Sequence, residues 1–220
     1  LGYCLGGTLL GITNAYLAAV GDARITSGTH LTTMLDFGEP GELGVFIEEE
    51  QIASLEKRMA VKGYLDGSEM ATTFSMLRAN DLMWSFFINN YLLGKDPFPF
   101  DLLYWNSDST RMPAKMHSFY LRNFYQNNRL KDPGGISLLG TPIDLTKVKV
   151  PAYFLSAIED HISPWTSQLC RQPVVQRPGQ VCAIWFRAYR WPDQSAIGQQ
   201  VFLLDQSQAP DGSGRMAERS

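Results

Sequence analysis

Cysteine is scarce in this chain: Cys4, Cys170 and Cys182 are the only three among 220 residues. Their spacing fits neither a metal site nor a disulfide framework. Three scattered histidines, His30, His117 and His161, add no Cys/His cluster, so no metal is expected. An odd cysteine count without a secretory signal favours reduced thiols and a cytoplasmic setting. No apolar run approaches the roughly 20 residues that span a bilayer, so no transmembrane segment is expected. Nor is there a basic excess: 19 Lys and Arg stand against 22 Asp and Glu, for a net charge of −3. That balance argues against a nucleic-acid binder, which needs clustered cations to neutralise phosphates. An initiator Met and a basic leader are lacking too, and the chain is expected to begin in mid-domain.

What is present suits a folded protein. Hydrophobic residues make up 45% and charged residues 19%. Small and apolar residues at helical spacing follow Gly2–Gly7 and run to about Ala19, with Gly21-Asp22 closing the stretch. Leu31–Phe37 reads as a buried strand ending at Gly38. Turn, helix and strand in that order predict an α/β fold. Helical patterns then cover Val45 to about Lys62, Gly67–Leu77, Ala79–Leu93 and Lys115–Asn128. The acids Glu48, Glu49 and Glu50 read as a solvated face suited to the helix dipole. The block 38–140 is therefore predicted to be a helical lobe inserted between strands, a cap of the kind that covers active sites. Its concentrated aromatics, among them Trp84, Phe87, Tyr91, Phe119 and Phe124, are expected mostly as the lobe's core. Strand character resumes at Val148–Ser156 and runs into Glu159-Asp160-His161.

The chemistry is carried by Gly2-x-Cys4-x-Gly6, which has the form of a nucleophile elbow with Cys in place of Ser. Small residues two before and two after the nucleophile let strand and helix pass closely. The turn lifts the thiol to a helix N-terminus, where the dipole favours thiolate. The backbone N–H of Leu5 is then expected as an oxyanion donor. Asp160, directly after a later strand, is the candidate acid of a triad. Together these residues predict part of an α/β-hydrolase fold.

Several runs of residues carry a resemblance. They are Gly2–Thr8, Thr32–Phe37, Arg78–Trp84, Pro99–Pro113 and Glu159–Trp165. In that order they closely resemble poly(3-hydroxyalkanoate) synthases, of the single-polypeptide class that favours short-chain substrates, from residue 1 to about Thr166. The resemblance implies a partial catalytic domain over 1–166, with Cys4 as nucleophile and acyl carrier and Asp160 as triad acid. It implies attack on (R)-3-hydroxyacyl-coenzyme A, release of coenzyme A, and transfer of the growing polyester chain onto the next 3-hydroxyl. Coenzyme A enters as part of the substrate and no cofactor is expected. A homodimer at the surface of cytoplasmic polymer granules is also implied. The residues alone leave open a thioesterase or hydrolase of the same fold, and a non-catalytic granule-associated subunit.

The family's triad His lies in a downstream segment close to Gly-His-Ile-x-Gly-x-Ile-Asn-Pro-Pro, and no histidine follows His161. From Ser167 the sequence loses periodicity and family likeness. Permitted codons for Gly179–Gln206, read one base later, spell that missing segment, with the His codon straddling Ala188 and Tyr189. Residues 167–220 are therefore expected to be a frameshift product with poor order, in which Cys170, Cys182, Trp185 and Trp191 carry no function. Sequencing the coding DNA tests this. Without its base, and without the strand and second oxyanion donor expected before Cys4, the chain alone is expected to be inactive.

Overall fold

The structure is a computed structural model that describes residues 1–77, 83–96, 108–157, 160–170, 181–186 and 200–204. Parts of the Arg78–Trp84 and Pro99–Pro113 motifs, and Trp191, lie outside the described residues. The chain divides into two compact units, one of Leu1–Gly44 with Asn123–Ser220, the other Val45–Arg122. The second unit is narrower than the block 38–140.

The first unit is α/β. Its sheet has the order β1-β2-β7-β8-β9, from β1 (Gly2–Tyr3), β2 (Gly28–Leu31), β7 (Ala152–Ala157), β8 (Val181–Phe186) and β9 (Gln200–Leu204). The first four run parallel and β9 is antiparallel. Gly2 pairs with His30, and His30 with Phe154. Helix α1 (Leu5–Val20) follows β1 and stops at Gly21, whose left-handed φ of 76° lets its N–H reach the Leu17 carbonyl. Alternate residues of β7, Ala152, Phe154 and Ser156, are buried, as the pleat requires of a strand with one face on the core. A short antiparallel pair, β5 (Ser137–Leu138) and β6 (Thr141–Pro142), lies between β2 and β7 in sequence. Strands β8 and β9 fall within 167–220. Val181–Phe186 is a run of strand formers, and the open edge of β7 supplies the backbone partners it needs. The rest of 171–220 lies outside the described residues.

The expected strand Leu31–Phe37 ends where it was to begin. Thr32 turns the chain with a φ of 45°, and Thr33 to Phe37 continue as buried irregular backbone. Side chains satisfy that backbone instead of a ladder. The Phe37 N–H donates to Asn128 Oδ1 (2.7 Å), the Asn128 amide donates to Asp36 Oδ1 (2.7 Å), and the Gly38 N–H donates to the same oxygen (2.8 Å).

The second unit holds α2 (Glu49–Lys62), α3 (Gly67–Leu77), α4 (Ala114–Tyr120) and the antiparallel pair β3 (Tyr64–Leu65) with β4 (Met112–Pro113). Ile52, Met59 and Leu65 are buried in it. Glu49 is not merely solvated. Arg122 grips Glu49 at 2.9 and 3.1 Å and Glu56 at 2.7 and 2.8 Å, both bidentately, and Ser118 Oγ donates to Glu56. The Arg122 and Ser118 hydrogen bonds hold the Glu56 carboxyl down to about 2. The aromatic ladder Trp84–Phe87–Tyr91 does not form a core. Trp84 is 55% and Tyr91 76% exposed, with ring centroids 6.1 and 5.1 Å apart along the ladder. Among the described residues no helix is long and apolar enough to cross a membrane, and no group of three or more His, Cys, Asp or Glu could hold a metal ion.

Candidate active site

Strand β1 delivers Cys4 directly to the end of the ladder with β2. Cys4 N–H donates to the Leu31 carbonyl (2.9 Å), one step beyond the Tyr3–Leu31 pair, and so extends the β1–β2 ladder. The backbone then reverses, with Cys4 at φ 51° and ψ −123°. A residue other than glycine pays for positive φ in side-chain crowding, and such strain persists only where the surroundings enforce it. Here the Cys4 carbonyl accepts from the N–H groups of Gly7 (2.9 Å) and Thr8 (3.3 Å), which starts α1 at once. Its thiol is exposed.

Of the two motif glycines, Gly2 acts as expected and Gly6 does not. A methyl on Gly2 would meet Gly7 Cα at 2.5 Å and the Gly6 carbonyl at 2.6 Å, so Gly2 is required by close backbone approach. Gly6 has open space around it. The second tight position is Gly7, where a Cβ would run into the Thr33 side chain. Gly6-Gly7 in sequence concealed which of the two mattered.

Asp160 follows β7, as Cys4 follows β1, so both stand beyond the carboxyl ends of parallel strands with β2 between them. That edge is where open α/β sheets place their ligand crevices. Asp160 Oδ1 accepts from the N–H groups of Ile162 (3.0 Å) and Ser163 (2.9 Å), which fixes the turn that carries it. Its charge reaches both Tyr3 and Cys4. Cys4 is open to solvent on one side and crowded by protein on the others, and that desolvation pushes the thiol above its usual value. A hydrogen bond from the Leu5 N–H opposes the rise, and the negative charge of Asp160 adds to it. Burial therefore outweighs the Leu5 hydrogen bond in setting the direction of the shift. Tyr3 feels the same surroundings, its hydroxyl raised by burial and by the charges of Cys4 and Asp160.

The three histidines sit apart from one another in role. His161 adjoins Asp160 and is half-buried, with its carbonyl accepting from the Glu42 N–H (3.2 Å). His117 is buried in the second unit, its Nδ1 without a partner among the described residues. His30 was not a candidate, yet it underlies the elbow. It is 2% exposed, its ring stacks on Phe154 (centroids 4.5 Å apart), and Nδ1–H donates to the Gly7 carbonyl (3.2 Å). Burial lowers it to about 4. Because the folded state resists the proton that the unfolded state accepts near 6.5, stability is full above that value and falls as pH drops toward 4. The loss amounts to about 3 kcal/mol. Urea unfolding at pH 7.5 and 4.5 should show a smaller acid loss in His30→Leu than in the parent chain; equal losses would contradict this.

No protein-family model matches the chain. Among curated proteins it is 57% identical over 164 residues to the poly(3-hydroxyalkanoate) polymerase subunit PhaC of Rhizobium meliloti, covering 74% of this chain and 27% of that one. To the poly(3-hydroxyalkanoate) polymerase of Methylorubrum extorquens it is 58% identical over 163 residues, again 74% and 27%. To the polymerase subunit PhaC of Cupriavidus necator it is 45% identical over 172 residues, covering 76% and 29%. The chain thus spans between a quarter and a third of the length of these relatives.

Proposed function

Because the matched part of the chain belongs to the poly(3-hydroxyalkanoate) polymerase family, we propose that it is the nucleophile-bearing part of an acyltransferase of α/β-hydrolase fold that builds polyester from (R)-3-hydroxyacyl-coenzyme A. The observation that carries the reading is the backbone of Cys4, strained at φ 51° between strand and helix with its thiol exposed at the edge Asp160 shares.

In this reading the Cys4 sulfur attacks the thioester carbonyl, a C–S bond to Cys4 forms, and coenzyme A leaves as its thiol with the proton. Exchange between two thioesters is nearly balanced in energy, which suits a carrier step. The Leu5 N–H, already beside the sulfur, faces the oxygen that gains charge. The 3-hydroxyl of the next substrate then attacks the Cys4-bound acyl group. A new ester C–O bond forms, the C–S bond breaks, and a base takes the hydroxyl proton. Asp160 orients that base or takes the proton itself. A thiol raised by burial is mostly protonated at neutral pH, so the base is needed for the first step as well. The unit Val45–Arg122 acts as the cap in this scheme. Family likeness extends the proposal to short acyl chains, a homodimer and the surface of cytoplasmic granules.

The chain itself offers a test that needs no base. Incubation with 3-hydroxybutyryl-coenzyme A above the thiol's raised value should acylate Cys4 stoichiometrically, with one coenzyme A released per adduct. The rate should fall about tenfold per pH unit below that value, and peptide mass mapping should find no adduct at this position in Cys4→Ala. Equal acylation of wild type and Cys4→Ala would sink the assignment.

A further inference from the structure

Asp160 is useful to Cys4 only if its turn stays over the same edge, and one buried side chain performs that tie. Gln168 is 1% exposed and lies between strand β7 and the 160–163 turn. Its Oε1 accepts from Ser156 Oγ at 2.6 Å, and Ser156 sits buried near the end of β7. Its Nε2 donates to the Ser163 carbonyl, while its own N–H reaches the Pro164 carbonyl at 3.1 Å. Ser163 in turn donates its N–H to Asp160 Oδ1. A carboxamide can accept from a hydroxyl and donate to a carbonyl at once. The opposite side of the turn is braced by the loop before the second unit. Glu42 N–H donates to the His161 carbonyl, Ser167 Oγ donates to the Glu39 carbonyl (2.9 Å), and Gly41, at φ 63°, leaves no room for a Cβ beneath His161.

We propose that Gln168 is a positioning residue for Asp160: it ties the end of β7 to the turn bearing the carboxylate and so holds that charge within reach of Cys4. This rests on the reading that Asp160 partners Cys4. It also assigns work to a residue beyond Ser167, where the sequence had lost its family likeness.

The pH profile of iodoacetamide alkylation at Cys4, followed by peptide mapping, reads Asp160 through its charge. Amide hydrogen exchange at Ile162 and Ser163 reads the tie without involving Cys4. Asp160→Asn should lower the alkylation midpoint by about half a pH unit, since it removes a charge that raises the thiol. Gln168→Leu should lower it in the same direction, speed exchange at Ile162 and Ser163, and shift the midpoint no further in the Asp160→Asn background. An Asp160→Asn midpoint equal to wild type would overturn the Cys4–Asp160 pairing, and the proposal with it. If Asp160→Asn shifts the midpoint but Gln168→Leu leaves midpoint and exchange unchanged, the proposal alone is overturned. The same follows if Gln168→Leu shifts both backgrounds equally. Should Gln168→Leu not fold, Gln168→Glu keeps the volume and the acceptor but loses the donor, and the same outcomes decide.

Discussion

Gly2→Ala is expected to lose roughly 3 kcal/mol or more of stability, while Gly6→Ala is expected to hold or gain about 0.5–1 kcal/mol. A Cβ on Gly2 would lie 2.5 Å from Gly7 Cα, 2.6 Å from the Gly6 oxygen and 2.7 Å from the Gly7 nitrogen. All three are backbone atoms of the first turn of α1, so no rotamer change relieves the overlap. Relief would require the first turn of α1 to move away from β1. Gly6 has nothing within 4 Å of its would-be Cβ and lies in a helix, where alanine is the better residue. Urea unfolding ranks the two variants, and Cys4 alkylation reports whether the elbow survives. A Gly6→Ala loss as large as that of Gly2→Ala would mean that the elbow packs differently.

Asn128→Ala is expected to cost about 2–4 kcal/mol. The Asn128 side chain accepts from Phe37 N–H and donates to Asp36, and its backbone sits at φ 47°. Alanine removes both hydrogen bonds and tolerates that φ poorly. The Phe37 N–H is left without its partner beneath a buried ring that packs on Phe124 and Tyr125. Asn128→Gly separates the contributions, since glycine accepts the backbone but makes neither bond. It should recover about 1 kcal/mol relative to alanine. Denaturant midpoints for the pair suffice, and an alanine variant as stable as wild type would refute the account.

These two sites also mark how far residues alone could be read. Local periodicity sufficed for α3, which spans Gly67–Leu77 as expected, and for α1. It did not suffice for Thr33–Phe37, which reads as a strand because the run from Leu31 is rich in strand formers. The Phe37 N–H is satisfied by Asn128, some ninety positions later, and no local pattern reveals that. The expected strand from Val148 begins instead at Ala152, after a 3-10 turn at Leu145–Lys147. Near the candidate site, the turn at Cys4 and the strand end before Asp160 were legible, because a tight turn and a strand end leave marks on sequence. His30 and Gln168 were not. His30 bonds to the Gly7 carbonyl and Gln168 to the Ser163 carbonyl, and carbonyls carry no residue signature. The sign of the Cys4 shift was also hidden, because desolvation depends on three-dimensional crowding rather than on neighbours in sequence.

The pairing of β1 with β2, and of β2 with β7, sets an order of events during synthesis. The elbow's ladder partner, Leu31, emerges soon after Cys4, but β7 and Asp160 emerge only once the whole of Val45–Arg122 has been made. At ordinary translation speeds that interval is on the order of ten seconds. Throughout it, a reactive sulfur stands at the rim of a sheet that has not yet closed around it. In that interval Cys4 lacks both the crowding and the Asp160 charge that raise its thiol in the folded chain, so it ionises more readily before the sheet closes than after.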